Sequence, residues 1–128
     1  MIAGPESVII GTWICGGGFV VPNVVYHRDV IETDLGGGVS RRVLAHNEKM
    51  MVVEVRFEAG GIGAVHRHPH VQCTYVAGGR FRFTVDGEEA EVAAGDSIAF
   101  PADVPHGTRC LEAGTLIDVF TPMRADFL

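Results

Sequence analysis

Apolar and polar residues alternate with a period of two along much of the chain, and helical periodicity is almost absent. Met51-Val52-Val53-Glu54-Val55-Arg56-Phe57 puts Val53, Val55 and Phe57 on one face of a strand and Glu54 and Arg56 on the other. Arg80 to Val85 repeats the pattern with Phe81, Phe83 and Val85 inward. Asp86-Gly87 then predicts a tight hairpin into Glu88–Val92. Ala94-Gly95-Asp96 predicts another turn, Ser97–Phe100 a short strand stopped by Pro101, and Leu116–Phe120 a last strand stopped at Pro122. Asn47-Glu48 predicts a further hairpin between Arg41–His46 and Met50–Phe57. Short strands joined by regular turns predict an all-β antiparallel sandwich or barrel. No repeat, low-complexity tract or linker interrupts it. The reading is a single domain over residues 28–128, with residues 1–27 as an N-terminal arm or an extra edge strand.

Composition narrows the partners. The 128 residues are 47% hydrophobic and 20% charged, as in a compact globule. A formal net charge of −6 disfavours nucleic acid and anionic membrane surfaces, which need a basic face. Lys49 is the only lysine, so arginine supplies nearly all the positive charge. Arginine suits planar carboxylates. Cys15, Cys73 and Cys110 form no C-x-x-C and are odd in number, which predicts free thiols in a reducing compartment. Val8 to Val25 is uncharged, but Gly11, Gly16, Gly17, Gly18 and Pro22 break it, and no basic stretch precedes it. It is neither a good spanning helix nor a signal peptide, and a cytoplasmic location is expected. Its apolar residues need burial, which predicts a symmetric homodimer.

Three of the six histidines fall within five residues, His66, His68 and His70, with Gln72 following. His66 and His68 stand two apart, so on a strand both rings project from one face and can converge on an ion. Pro69 interrupts sheet pairing and bends the chain, which can swing Gln72 toward the same point. His106 follows Pro101 and Pro105, and a closed barrel can bring it into range. His70 is left with three roles: supporting a ligand, touching substrate, or standing in solvent, the last being preferred. His27 and His46 have no sequence partners and read as structural. Cys73 and Cys110 read as small buried hydrophobes.

This constellation resembles the cupin superfamily. Its first motif is Gly, five residues, His-x-His, three or four residues, Glu, six residues, Gly; Gly60, His66, His68, Gln72 and Gly79 stand on those positions. Its second motif is matched by Gly95, Pro101 and His106, with Cys110 where Asn is usual. The resemblance implies a double-stranded β-helix jelly roll, with one divalent metal ion held by His66, His68, Gln72 and His106 in its mouth. Gln72 replaces the usual Glu, so three imidazoles and an amide would leave the full charge on the ion. Such a site favours an anionic substrate and developing negative oxygen. The alternative is that Gln72 hydrogen-bonds behind the ligands. Nickel, zinc, iron, cobalt and manganese all suit the donor set.

Asp118 lies in the apolar strand Leu116-Ile117-Asp118-Val119-Phe120, where a charge is costly unless paired or functional. By alternation it shares a face with Leu116 and Phe120; that face is inward, or Ile117 and Val119 are inward and Asp118 meets water. Here the chain resembles the KdgF-like cupins, which act on unsaturated uronic acids released by pectate and alginate lyases. Gly36–His46, His66–Gln72 and Asp118–Leu128 carry the likeness. It implies catalytic roles for Asp118, Phe120 and Arg124, substrate contact by Phe120 and Arg124, and conversion of 4,5-unsaturated uronate monosaccharides to linear 4-deoxy-5-keto uronates. Arg80 and Arg82 are further candidates to hold the anion, against the reading of a solvated strand face. A cupin dioxygenase and a non-catalytic sugar-binding cupin are the competing functions.

Overall fold

In the computed structural model, residues 23–128 are described throughout, preceded by the backbone of two short antiparallel strands, β1 (Ile14–Cys15) and β2 (Gly18–Phe19). The expected arm over residues 1–27 therefore lies largely outside the described residues. A single turn of 3₁₀ helix, His27–Asp29, leads into eight strands. These are β3 (Thr33–Gly36), β4 (Val39–His46), β5 (Met51–Phe57), β6 (Ile62–His66), β7 (Val71–Val85), β8 (Glu88–Ala93), β9 (Ser97–Phe100) and β10 (His106–Thr121). All pair antiparallel in the order β3-β4-β5-β10-β7-β8, with β6 on β10 and β9 on β7. Among the described residues no helix is long and apolar enough to cross a membrane.

The two long strands make the jelly roll. β10 pairs with β6 through its first residues, His106 to Arg109, and with β5 through Gly114 to Phe120. β7 pairs with β9 over Gln72 to Tyr75 and with β8 over Arg80 to Val85. Each long strand thus passes from one sheet to the other, and β7 and β10 stay paired as they do so. Register shifts between Cys110 and Leu116 mark the bend. Glycine makes the bend possible. A Cβ on Gly114 would run into the Gly78 carbonyl and the Gly79 Cα, and one on Gly79, which sits at φ +82°, would meet the Glu112 and Ala113 carbonyls. The last strand is therefore far longer than the Leu116–Phe120 core of alternation suggested.

The hairpins follow their turn residues. Asp86 and Gly87 both take positive φ, the requirement of a two-residue turn between strands of right-handed twist. The Asn47 carboxamide oxygen accepts the Lys49 and Met50 amides and closes the β4–β5 turn. Inward residues fill the space between the sheets with Val39, Phe57, Val76, Phe81, Phe83, Phe100, Cys110 and Leu116. A second cluster of Met51, Val53 and Phe120 lies toward the C-terminal segment, with Met123 and Phe127 against it. Cys110 is buried as expected, but Cys73 is exposed, because its inward neighbours on β7 are Gln72 and Thr74.

Gly114→Ala is expected to destabilise by at least about 2 kcal/mol, because its new methyl would meet backbone that has no room to yield. Gly78→Ala, with open space at its Cβ, is the control and should stay within about 1 kcal/mol of the parent. Denaturant unfolding of the two variants checks both.

Candidate metal site

Alternation reverses its usual chemistry at one end of the barrel. Along β7 the inward positions are Gln72, Thr74 and Val76, all buried between the exposed Val71, Cys73, Tyr75 and Ala77. Along β10 they are Leu116, Asp118 and Phe120, and the register sets Thr74 opposite Asp118 and Gln72 opposite Phe120. His106 opens β10 directly across from His66, the last residue of β6. His68 lies in the link from β6 to β7, immediately before Pro69. His66 and His68 therefore do not share a strand face; the chain leaves β6 between them, and their rings still come within 5.5 Å.

Each of the three imidazoles is pinned in the same way. Nδ1 of His66 bonds the Ala64 carbonyl at 2.8 Å, that of His68 the His70 carbonyl at 3.0 Å, and that of His106 the Val104 carbonyl at 2.9 Å. A carbonyl only accepts, so Nδ1 carries the proton in each ring and Nε2 presents a lone pair. One ligand atom from each ring lies within 4.8 Å of the others. His106 Nε2 is buried with no hydrogen-bond partner. Burial lowers the pKa of His68, with Arg124 adding to it, and burial lowers that of His106 as well. Burial thus favours the neutral form of His68 and His106, which is the state that binds metal.

Gln72 belongs with them. Its Oε1 lies 3.0 Å from His68 Nε2. Both atoms carry lone pairs, so the contact is repulsive unless a cation lies against both. The amide orientation follows from a chain of donors: Gln72 Nε2 donates to Thr74 Oγ1 at 2.9 Å, and the Thr74 hydroxyl donates to Asp118 Oδ1 at 2.6 Å. Thr74 has one proton to give. While Asp118 is ionised that proton is committed to the carboxylate, so Thr74 must accept from the Gln72 amide, and the amide oxygen is turned toward the imidazoles. The lone pairs, the partnerless His106 nitrogen and the neutral donor set together fit one divalent ion on His66, His68, Gln72 and His106.

The same cavity, about 240 Å³, is lined by Asp118, Phe120, Arg124, Phe127 and Arg41 as well as by His66, Gln72 and His106. Its size is below the range for drug-like ligands and suits a monosaccharide. Burial pushes the Asp118 carboxyl up to about 6, against the pull of Thr74, Gln72 and Arg124. Asp118 therefore faces inward, and of its two possible orientations the buried one is realised. Arg124 is 9% exposed and forks onto Asp126, Nε to Oδ1 at 3.0 Å and one terminal nitrogen to Oδ2 at 2.8 Å. Its guanidinium also lies over Phe120 and Phe127. Phe120 meets His68 edge to face, with ring centroids 5.6 Å apart.

Several expected roles change. Arg80 and Arg82 do not reach the cavity: Arg80 pairs with Glu112 and Glu91, and Arg82 with Glu91. Their inward neighbours Phe81 and Phe83 take the core side of β7, which sends both arginines outward. His70 is not solvated: its Nδ1 is buried and its ring packs against His68 and Phe120. His27 reaches Glu54 and His46 its own strand, as structural residues do. Sequence reading missed Thr74, Arg41 and Phe127. Thr74 follows Gln72 by two positions, so alternation alone placed it on the same face. A larger open groove along β3 and β4, about 530 Å³, is lined by Glu32, Asp34, Arg56 and Glu58 and holds no imidazole.

The cupin domain family matches residues 53–120, which span the imidazoles, Gln72, Asp118 and Phe120. The chain belongs to the cupin family. This cupin is 40% identical over 97 residues to the pectin degradation protein KdgF of Dickeya dadantii, covering 74% of this chain and 88% of that one. Two solved structures align over 84% of it: an RmlC-like cupin from Shewanella frigidimarina (39% identity, TM-score 0.80, 96% of that chain) and KdgF from a Halomonas species (32% identity, TM-score 0.79, 100% of that chain). Bacillus subtilis oxalate decarboxylase shares the fold at 25% identity and TM-score 0.72, with this chain spanning 30% of its length. The jelly roll and the KdgF-like character read from the sequence both hold.

Thr74→Val keeps shape but removes the hydroxyl that orients Gln72; divalent-metal affinity measured by calorimetry should fall about tenfold, and Thr74→Ser should restore it. The Asp118 carboxyl gives a second test. Its folded pKa of about 6 lies above the ordinary 3.8, so ionisation opposes folding, and stability is lost as pH rises between those values. In metal-free protein Asp118→Asn should stabilise by about 3 kcal/mol at pH 8 and by almost nothing near pH 4, as read by chemical denaturation.

Proposed function

We propose that this cupin converts 4,5-unsaturated uronate monosaccharides into linear 4-deoxy-5-keto uronates, with a divalent ion on His66, His68, Gln72 and His106. One observation carries the reading. A buried carboxyl with a pKa of about 6 shares a monosaccharide-sized cavity with the imidazole cluster and two arginines. A carboxyl titrating there is suited to both accept and return a proton near neutral pH. The likeness to KdgF, a pectin degradation protein, supports a uronic acid as the substrate.

The reaction is an isomerisation. Ionised Asp118 accepts the proton of the anomeric hydroxyl. The bond from C1 to the ring oxygen breaks, C1 becomes the aldehyde, and the ring oxygen keeps the electron pair as the enolate oxygen on C5. Protonated Asp118 gives the proton to C4, and C5 becomes the ketone. No oxidant and no water are consumed. The bound ion supplies Lewis acidity toward sugar oxygen, undiminished because every ligand is uncharged. Thr74 holds the Asp118 carboxylate in one rotamer. Phe120 offers a ring face against the sugar and excludes water. The positive charge of the arginines lining the cavity draws the substrate carboxylate.

Unsaturated galacturonate loses its conjugated ultraviolet band on ketonisation. Metal-loaded protein should remove that band well above the buffer rate, and Asp118→Asn should lower turnover by at least about a hundredfold with metal content unchanged. A metal-loaded rate equal to buffer sinks the proposal. Consumption of O₂ would point to a dioxygenase instead, and sugar recovered unchanged to a binding protein.

A further inference from the structure

The inward positions of β4 are Val39, Arg41 and Val43: Val39 is in the main core and Val43 packs on the second cluster. Arg41 stands between them, opposite Val55 of β5, and lines the cavity. A guanidinium in that row is costly unless something pairs with it. Its neighbours on the outer face have partners. Arg42 reaches Glu32 and Glu54, and Arg56 reaches Glu32. Arg124 has both forks of its guanidinium on Asp126. Among the described residues Arg41 makes no ion pair and no side-chain hydrogen bond; what it has is the Phe127 ring, 3.9 Å from its Cζ, which it shares with Arg124 at 4.2 Å. Burial and the nearby Arg124 disfavour its charge, and Asp126, already paired with Arg124, offsets only part of that. The cavity thus holds a planar cation backed by an aromatic ring and, among the described residues, without an ion-pair partner.

We propose that Arg41 is the residue that binds the substrate carboxylate, and that Arg124 is a positioning residue, held by Asp126, that keeps Phe120 and Phe127 in place around it. The assignment rests on the uronate reading above. The cavity then selects sugar acids over neutral sugars: without a carboxylate Arg41 is left unpaired, and with one the pair forms away from bulk water. It also places the carboxylate, and so C5, toward the β4 side of the cavity.

Galacturonate, which has no double bond to react, and neutral galactose serve as probes, with calorimetry on the full chain. The parent should prefer galacturonate. Arg41→Gln should weaken galacturonate binding by about ten- to a hundredfold, leave galactose binding unchanged, and raise KM for unsaturated galacturonate by a similar factor with kcat changed less than about threefold. Arg41→Lys should recover part of the loss. Arg41→Gln should be no less heat-stable than the parent, whereas a purely structural arginine would destabilise on removal. Unchanged galacturonate affinity in Arg41→Gln, or no preference for the acid in the parent, overturns the assignment. Arg41-dependent galacturonate binding by a protein that turns over no unsaturated sugar upholds Arg41 and rejects the ketonisation reading instead.

Discussion

Three imidazoles fixed in one tautomer set the terms for everything else in this barrel. Each gives its Nδ1 proton to a backbone carbonyl two residues away, so each turns an Nε2 lone pair to the same point. Nothing among the described residues donates to His106 Nε2, and the Gln72 oxygen adds another lone pair rather than a proton. Converging lone pairs of this kind suit a bound cation. The pinning carbonyls belong to the backbone at the open ends of β6 and β10 and to the link into β7. The donor geometry is therefore as rigid as the strand register, and no flexible side chain is needed to orient the rings.

That register also explains why polar residues are tolerated where a core would otherwise be. β7 and β10 run side by side across both sheets, and at one end their inward residues are Gln72, Thr74 and Asp118 in place of Val76, Leu116 and the phenylalanines. Gln72 Nε2 donates to Thr74 two residues along β7, and the Thr74 hydroxyl donates across the strands to Asp118. The row passes orientation from Asp118 to Gln72, so the acid and the metal ligands are coupled through one threonine. Protonating Asp118 removes the demand that Thr74 donate to it, and with that the reason for the Gln72 oxygen to face the imidazoles. The main hydrophobic cluster continues directly from this row through Val76 and Leu116, and its Phe100 stacks on His106, so the polar site is walled by the core rather than cut into it.

Sequence made the alternating strands legible because each carries its signal in adjacent residues: Phe57, Phe81 and Phe83 inward, Asp86-Gly87 and Asn47 at the turns. It also made the ligand set legible, since His66, His68, Gln72 and His106 stand at fixed spacings. What it hid depends on contacts between distant segments. β10 could not be read beyond Leu116–Phe120 because Gly107 and Gly114 look like breaks, whereas Gly114 is where two strands approach too closely for any side chain. β3 is wholly exposed and so has no apolar face to detect. Arg80 and Arg82 were drawn toward the substrate by proximity to the first motif, although the phenylalanines between them already sent them outward. Arg41 was passed over for the opposite reason: it follows Ser40 and precedes Arg42 in a stretch that looks like a solvated edge, and only the sheet shows that Val39 and Val43 flank it on the inward face.

The charge of the site can be followed from there. Arg124 and Asp126 cancel each other, and Asp118 is held near the midpoint of its titration at weakly acidic pH. Neutral ligands contribute nothing against a divalent ion. Ion and Arg41 together thus leave a cavity with surplus positive charge inside a protein whose net charge is −6. A glutamate in place of Gln72 would remove one unit at the ion, and a carboxylate beside Arg41 would remove one at the other end. Among the described residues position 72 is an uncharged Gln and Arg41 has no ion-pair partner, so the balance is left to whatever binds. An anion with its carboxylate at one end and an oxygen that gains negative charge at the other relieves both ends at once. The cyclic unsaturated uronate has that form, and the negative oxygen arises only as its ring opens. For the ketonisation we propose, the donor set would favour the charge distribution of the reaction's midpoint over that of the closed ring it starts from.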